Sequence, residues 1–487
     1  MIIHNKMGRP NRDPNRINLR LGELKYEGVD DSLTSTAGLP VMLELFSRSR
    51  QFTSFVKNLP SRMGNNTYGT ERIALLIWLG FLRGFDCIED LADFEWDAGV
   101  MQKFGEIPTP RSIGNYLRDF SLENCAGLNE FLRHMAIDAR ERLCPELPLI
   151  IDMDSTSHVQ RGSTIEGLAY NYKNEWCLDS LVAFDSLGFC HGMKLRPGNT
   201  FSSQGAGDFI REIFPLLPID EVERRREKKR RFFRADSAFC EQETIHACME
   251  RGALFTISAH GRTGWKDKVK AGAIQDWIPW EYSEKEIEEA TEVGTVLPVV
   301  ELGSFLYQPS WNEGIRFYHV VKRTWVTKKT KLPKKKKTQE TSTDEDETFV
   351  EGEWLYYGVL TNWDLSSHAL QEIMIHHHRR GHAENFIREG KSGYDLRHFP
   401  CKKMTANHAY GLIGLAAHNF IRIIALLDSP SKPQFVKAIR KRFIFIPGKV
   451  ITSAKQWWMK IPNHWKKEVD GLLHAWEKAF LLSPAPH

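Results

Sequence analysis

The chain has 487 residues, a net charge of +4, 41% apolar residues and 26% charged residues. That balance fits a globular protein of two to four domains with a large core. No stretch offers the roughly 18 uninterrupted apolar residues of a membrane span, and the start of the chain, Met1 to Pro10, lacks the apolar core of a signal peptide. The eight cysteines are scattered without a CxxC pair. Neither a zinc knuckle nor a disulfide framework is indicated, and a reducing cytoplasm is the simplest compartment.

Residues 1–32 are polar and basic and read as a flexible arm. Residues 33–145 read as a helical domain. Apolar spacing predicts helices over 38–59, 70–82 and 122–142, with a short one over 88–94. The 70–82 segment is apolar all round, which places it inside the domain. Further on, Thr109 can cap a helix and Pro110 suits its first position. Arg111, Asn115 and Arg118 then share a polar face at spacings of four and three. Such a face can read DNA, and a plain surface helix would look the same.

From 146 to 260 strands and helices alternate. Strands are predicted at 147–154, 178–184 and 189–195, the last two joined by a tight turn at Ser186, Leu187 and Gly188. A helix over 207–217, a strand over 231–235, a helix over 241–251 closed by Gly252, and a strand over 253–258 follow. This is the order of an α/β ribonuclease-H-like core, a mixed sheet flanked by helices. Residues 261–364 read as a mostly β insertion, with aromatic and β-branched residues alternating at 277–282, 296–302, 317–326 and 353–360. Within it, 328–348 is lysine-rich and then acidic, and Leu332 is its only large apolar residue, the pattern of a disordered tip. Residues 365–425 return to the core, with helices over 376–388 and 406–421. Residues 426–487 form a basic, tryptophan-rich, mostly helical tail.

Three acids stand where such a core can use them. The apolar run from Leu147 ends in Asp152, Asp154, Ser155 and Thr156, which reads as a buried strand delivering carboxylates to its edge. Arg231 to Ala235 delivers Asp236 in the same way, and Glu384 stands on the 376–388 helix. Taken together, Asp154, Asp236 and Glu384 read as a metal site. Mg2+ takes oxygen ligands, and two such ions about 4 Å apart can serve the two sides of a phosphodiester; Mn2+ would substitute. Each acid alone also reads as a cap, turn or surface residue. Asp152 shares a strand face with Asp154 and is either an alternative ligand or a partner behind it. Glu389 stands in the same relation to Glu384.

His377, Arg380, Glu384 and Lys391 fall at spacings of three, four and seven. On an unbroken helix they lie within about 60° of one another. That face suits a carboxylate ligand flanked by phosphate-binding groups, although a solvated face with internal salt pairs is the plainer reading. Arg161, Tyr170, Tyr172, Lys194, Arg196 and Asn199 stand near predicted strand ends, where they can touch backbone phosphate. Basic clusters at 224–231, 328–337 and 437–442 supply what a polyanion needs around such a site, or are solvated loops.

At these residues the chain resembles the DDE transposases of bacterial insertion sequences, in the insertion sequence 4 class and within it the insertion sequence 1380 type. Asp152-Met-Asp154-Ser-Thr resembles the first aspartate strand, and Tyr170-Asn-Tyr172 with Leu195-Arg196-Pro-Gly-Asn199-Thr resembles the segment after it. Arg234-Ala-Asp236-Ser-Ala-Phe239 resembles the second aspartate, and Arg380 to Lys391 the third-acid signature. The helix from Ala406 and Asn407 to Asn419 resembles the one that follows it. The resemblance runs from about Leu33 into the tail. The wider class carries Tyr, two residues, Arg, three residues, Glu, six residues, Lys; His377 stands here at the tyrosine position, and an imidazole still donates one hydrogen bond.

The resemblance implies metal-dependent cleavage of double-stranded DNA at the inverted-repeat ends of an insertion sequence, then transfer of the 3′ hydroxyl ends into target DNA by cut and paste. It implies an N-terminal domain that recognises the ends, for which Arg111, Asn115 and Arg118 are the candidates. It also implies an end-bound homodimer acting in trans, and a flipped base stacked on a tryptophan, for which Trp363 is the candidate. A bacterial cytoplasmic protein, nucleoid-associated when bound to DNA, follows from the same resemblance, with no membrane partner. Two rivals stand beside it. One is a metal-dependent nuclease that uses the same acids without joining. The other is a DNA-binding or repressor derivative without catalysis, against which three clustered like charges argue, because they repel without metal.

Overall fold

The computed structural model describes residues 28, 32–61, 68–162, 164–214, 231–311, 316–326, 352–394, 396–453 and 456–481. Nearly all of the expected 1–32 arm, the basic run 224–230 and the 328–348 tip lie outside the described residues. The strands in chain order are β1 (Leu33–Thr34), β2 (Leu149–Val159), β3 (Ala169–Tyr170), β4 (Trp176–Asp185), β5 (Cys190–Pro197), β6 (Arg231–Ala235), β7 (Leu254–Ser258), β8 (Ile278–Pro279), β9 (Val300–Tyr307), β10 (Phe317–Val326), β11 (Glu353–Thr361), β12 (Gly448–Ser453) and β13 (Gln456–Lys460).

Ten of them form one mixed sheet in the order β3-β4-β2-β6-β7-β11-β10-β9-β8, with β5 on β4. Parallel neighbours need a crossover, and the helices Ala206–Ile213 and Gln242–Glu250 supply it between β2, β6 and β7. β4 and β5 are antiparallel, joined by a turn in which Gly188 has φ 88°. The strand carrying the first acid does not end at Asp154, as its sequence indicated. β6 stops at Ala235, while β4 goes on pairing with β2 as far as Val159↔Cys177. Asp154 marks the place where one neighbour ends and an edge opens.

The 261–364 insertion extends this same sheet. β11 pairs antiparallel with β7 through Val359↔Ser258, and β10, β9 and β8 follow outward. It also carries a helix, Glu284–Val293, started by a Ser283–Glu286 capping box.

Helices cover both faces. On one, Gly38–Arg48, Arg50–Lys57, Thr70–Arg83, Pro110–Arg118 and Leu122–Leu143 share a continuous core with Met404–Asp428 and with β4 and β5. The expected 38–59 helix is two helices, parted at Ser49 in an extended conformation, and the 88–94 helix is a 3-10 segment, Glu89–Trp96. Met404–Asp428 is long and apolar enough to cross a bilayer, but 94% of its apolar window is buried in this core. On the other face, Ala206–Ile213 and Gln242–Glu250 pack on β2, β6 and β7. The tail is not helical throughout. Val450, Ile451, Trp457 and Trp458 belong to a β12–β13 hairpin that β1 completes, and Asn463–Trp476 follows as a helix.

Candidate active site

Register sets the site's geometry. β2 and β6 are parallel with Asp152 opposite Arg234, and β6 and β7 are parallel with Arg234 opposite Thr256. Carried two residues on, the same register places Asp154, Asp236 and Ser258 in one row at the open edge, each strand about 4.8 Å from the next. Side chains alternate along a strand, so the row at 152, 234 and 256 lies directly beneath, on the same face.

The lower row is occupied by an ion pair. Arg234 Nε donates to Asp152 Oδ1 at 2.7 Å and Nη2 to Oδ2 at 2.6 Å, and Nη1 donates to the carbonyl of His376 at 2.8 Å. Both side chains are buried. Burial pushes the Asp152 carboxyl up to about 6, against the pull of Arg234. Asp152 therefore ties β2 to β6 and, through Arg234, to the helix above. Both of its oxygens accept from the guanidinium.

The upper row is open. The Asp154 side chain is 25% exposed, and its Oδ1 accepts the Ser155 N–H at 2.8 Å. Its carboxyl is pushed up to about 7, first by burial and then by the neighbouring Asp236 charge; Glu384 adds to this and Arg380 opposes it. Asp236 directly follows β6 and caps the turn Ser237–Phe239 by accepting the Ala238 N–H at 2.9 Å.

The third acid arrives on a broken helix. The expected 376–388 helix is two helices, Leu370–His378 and Gly381–Gly393. The Arg380 N–H bonds the His377 carbonyl at 3.0 Å, a tight closing turn, and Gly381 opens the next helix. Glu384 lies in the first turn of that second helix and is exposed. The Arg380 guanidinium stands between the acids, 3.3 Å from Glu384 Oε1 and 4.0 Å from Asp154 Oδ2. Among the described residues, no three of His, Cys, Asp and Glu are close enough together to hold a metal ion. The donor chemistry nevertheless fits a hard divalent cation at Asp154 and Asp236, where two carboxylates are near enough for one charge to raise the other's proton affinity. Glu384 is paired with Arg380.

The break in the helix separates the residues expected on one face. His377 is 1% exposed and belongs to the first helix. Its Nδ1 lies 3.2 Å from the Thr256 carbonyl and its Nε2 lies 2.9 Å from Tyr357 Oη and 3.0 Å from Ser258 Oγ. Lys391 reaches β2 beyond Asp154, donating to the Ser157 carbonyl at 2.7 Å; burial lowers its pKa while Glu175, Asp154 and Asp179 oppose that. Glu389 faces the opposite way. It is buried, accepts the Val436 N–H, and lies 3.7 Å from His418 Nδ1.

Other candidates are spread around the fold. Arg196 is buried: its Nε donates to Asp179 at 2.8 Å and its Nη1 to the Gln204 carbonyl at 2.6 Å, so it fastens the loop after β5. Asn199 is exposed, and Tyr172 is 86% exposed with Lys173 over its ring. Arg111, Asn115 and Arg118 lie exposed on Pro110–Arg118, capped by Thr109, while Ile113, Tyr116 and Leu117 are buried beneath. Trp363 is 3% exposed and packs on Phe232 and His376. In the 437–442 cluster, Arg440 is buried and donates to the carbonyls of Phe81, Leu82 and Gly393, and Arg442 pairs with Asp428 and Glu468. These two arginines hold the tail to the core.

Sequence reasoning passed over Ser258 and Tyr357. Nothing in their local pattern distinguishes them, because their place depends on the pairing of β11 with β7.

A family described as transposase DDE domain group 1 matches residues 23–478 of this chain. No curated protein matches it. Membership carries DNA binding and metal-dependent nuclease chemistry in general terms, and the mixed sheet with its flanking helices is the architecture expected of it. The chain belongs to the transposase DDE domain group 1 family.

Proposed function

We propose that this transposase cuts DNA at the inverted-repeat ends of an insertion sequence and joins the 3′ hydroxyl ends to target DNA, in the manner of the insertion sequence 4 class and its 1380 type. The observation that carries this reading is the row at the sheet edge, with Asp154 and Asp236 side by side and Arg380 linking Asp154 to Glu384. Asp154 and Asp236, with Glu384 once released from Arg380, would hold Mg2+ or Mn2+. The bound ions would activate the attacking oxygen and neutralise the leaving one.

The chain's own residues do the rest. Arg380 exchanges a carboxylate for a phosphate oxygen when DNA arrives, because a guanidinium binds either with the same geometry. Lys391, standing on Ser157, adds a cation on the far side of Asp154. The Asp152–Arg234 pair fixes the relative height of the two strands, and so of the two aspartates. Arg111, Asn115 and Arg118 offer a polar face to the ends. Trp363 lines a cavity of about 710 Å³ with Leu365, His368, Ile375 and His376, and its Nε1 has no hydrogen-bond partner among the described residues. A flipped base would reach the ring through that cavity. By the same resemblance, two copies act on two synapsed ends.

The test is a cleavage and strand-transfer assay with DNA carrying the element's ends, comparing wild type with Asp154→Asn, Asp236→Asn and Glu384→Gln. Cutting and joining by wild type, and end binding without either in all three variants, supports the reading. Cutting without joining turns it into a nuclease. Binding without cutting under either metal turns it into a binding protein.

A further inference from the structure

Ser258, Tyr357 and His377 meet beside Asp236 in an arrangement that the roles above do not use. Ser258 Oγ is 2.8 Å from Tyr357 Oη and 3.0 Å from His377 Nε2, and Tyr357 Oη is 2.9 Å from the same nitrogen. The three side chains come from β7, β11 and the helix Leu370–His378. Ser258 continues the Asp154–Asp236 row, and Tyr357 lies on the next strand, just past the end of β7.

Proton counting decides what this group can do. The His377 Nδ1 faces the Thr256 carbonyl, so Nδ1 carries the hydrogen and Nε2 is an acceptor. Burial, helped by Arg380, holds the imidazole down at about 3, and it stays neutral at working pH. One lone pair on Nε2 therefore serves two hydroxyls. One hydroxyl donates to it, and the other is left to donate to the neighbouring oxygen or outward. Ser258 and Tyr357 are both partly exposed, and the charges of Asp236 and Arg380 act on Tyr357 in opposite senses.

We propose that Tyr357 donates its phenolic hydrogen to a phosphate oxygen of DNA bound at the Asp154–Asp236 edge, while Ser258 donates to His377 Nε2. This rests on the cleavage site proposed above. In the free protein the hydrogen stays within the triangle; a phosphate oxygen is a charged acceptor and draws it out. Ser258 and His377 are positioning residues, and Tyr357 is the one that touches substrate.

The test reads binding, without divalent cation, of end DNA carrying a single uncharged methylphosphonate at successive positions around the cleavage point. With wild type, one position is expected to lose about tenfold in affinity, the worth of a hydrogen bond to a charged group. Tyr357→Phe is expected to lose about as much on unmodified DNA and nothing further at that position, because the two changes remove one contact. Ser258→Ala leaves Nε2 free to capture the phenolic hydrogen and is expected to show the same non-additive loss; if Tyr357→Phe melts below the assay temperature, this variant decides alone. Unchanged affinity in the deciding variant, or losses that add at every position, overturns the proposal. If wild type binds the ends in this pattern but does not cut them with Mg2+, the cleavage reading falls and the contact stands. If wild type does not bind the ends, both fall.

Discussion

Asp152 and Asp154 lie two residues apart on one face of β2, yet only Asp152 gives both oxygens to an arginine, at 2.7 and 2.6 Å from Arg234. The two should fail differently. Asp152→Ala leaves a buried guanidinium without its charge partner, and breaking such a pair costs about 3–5 kcal/mol. Asp154→Asn removes a charge that burial and Asp236 already disfavour. Its carboxyl is raised from 3.8 to about 7, so the ionised form weighs against the fold as pH rises through that range. Denaturant unfolding at pH 8 without metal should show Asp152→Ala clearly less stable, and Asp154→Asn no less stable than wild type. Equal destabilisation by both would contradict the division of roles.

Arg380 holds the place of a cation in the free protein. It lies 4.0 Å from Asp154, a contact worth up to about 4 kcal/mol at an effective dielectric of about 20, and 3.3 Å from the exposed Glu384, where solvent screening leaves about 0.5 kcal/mol. Arg380→Gln should therefore bind Mn2+ more tightly than wild type when no DNA is present, by at least several-fold in calorimetry. Its end-DNA cleavage should fall, because a phosphate partner is lost. Weaker or unchanged Mn2+ binding would mean that the guanidinium does not compete with metal.

Acid should unfold the protein through histidines buried in the neutral state. His158 is buried, with Nδ1 at 2.6 Å from the Leu396 carbonyl and Nε2 at 2.7 Å from Ser180 Oγ. Burial, then Lys391, lowers it from 6.5 to about 3. The unfolded chain takes up a proton near pH 6.5 and the folded chain does not. The stability contributed is complete above pH 6.5 and is lost as pH falls toward 3, at about 1.4 kcal/mol per pH unit for each such proton. His376 and His377 are depressed in the same way and leave a residual slope in any single variant. His158→Gln should flatten the dependence of unfolding free energy on pH between 6.5 and 5 by one proton's worth. An unaltered slope would show that His158 is not among the groups responsible.

Some of this was legible from residues alone, for physical reasons that differ from part to part. A buried strand announces itself by a continuous apolar run, so the start of β2, Leu149 to Ile151, and the acids that follow it stand out. The length of β2 does not, because Ser155 to His158 are polar and only pairing with β4 makes them a strand. The basic residues misled where their partners are distant in sequence. Arg196 looks free until Asp179 is placed beside it, and Arg440 until the carbonyls of Phe81 and Leu82 are. The same limit hid the hydroxyl group of the site: the imidazole at position 377 is buried, and the phenol beside Asp236 belongs to Tyr357, on a strand whose pairing no local pattern announces.

The Pro110–Arg118 helix has one buried face and one exposed face. Ile113, Tyr116 and Leu117 are buried on one face, and Arg111, Asn115 and Arg118 are exposed on the other, where Arg118 bonds the Asn115 side chain. Replacing the three exposed residues by alanine touches no core contact, so each replacement should shift unfolding by no more than about 0.5 kcal/mol. If this face meets DNA, affinity for the ends should drop, and the slope of log K against log salt should become shallower by about 0.9 for each phosphate contact removed. If an arginine there reads a base edge, the preference for end DNA over random DNA should shrink by about 1–3 kcal/mol as well. Titrations of both DNAs at several salt concentrations measure all three quantities at once. A stable variant with unchanged slope and unchanged preference would assign this face to solvent and move end recognition elsewhere on the chain.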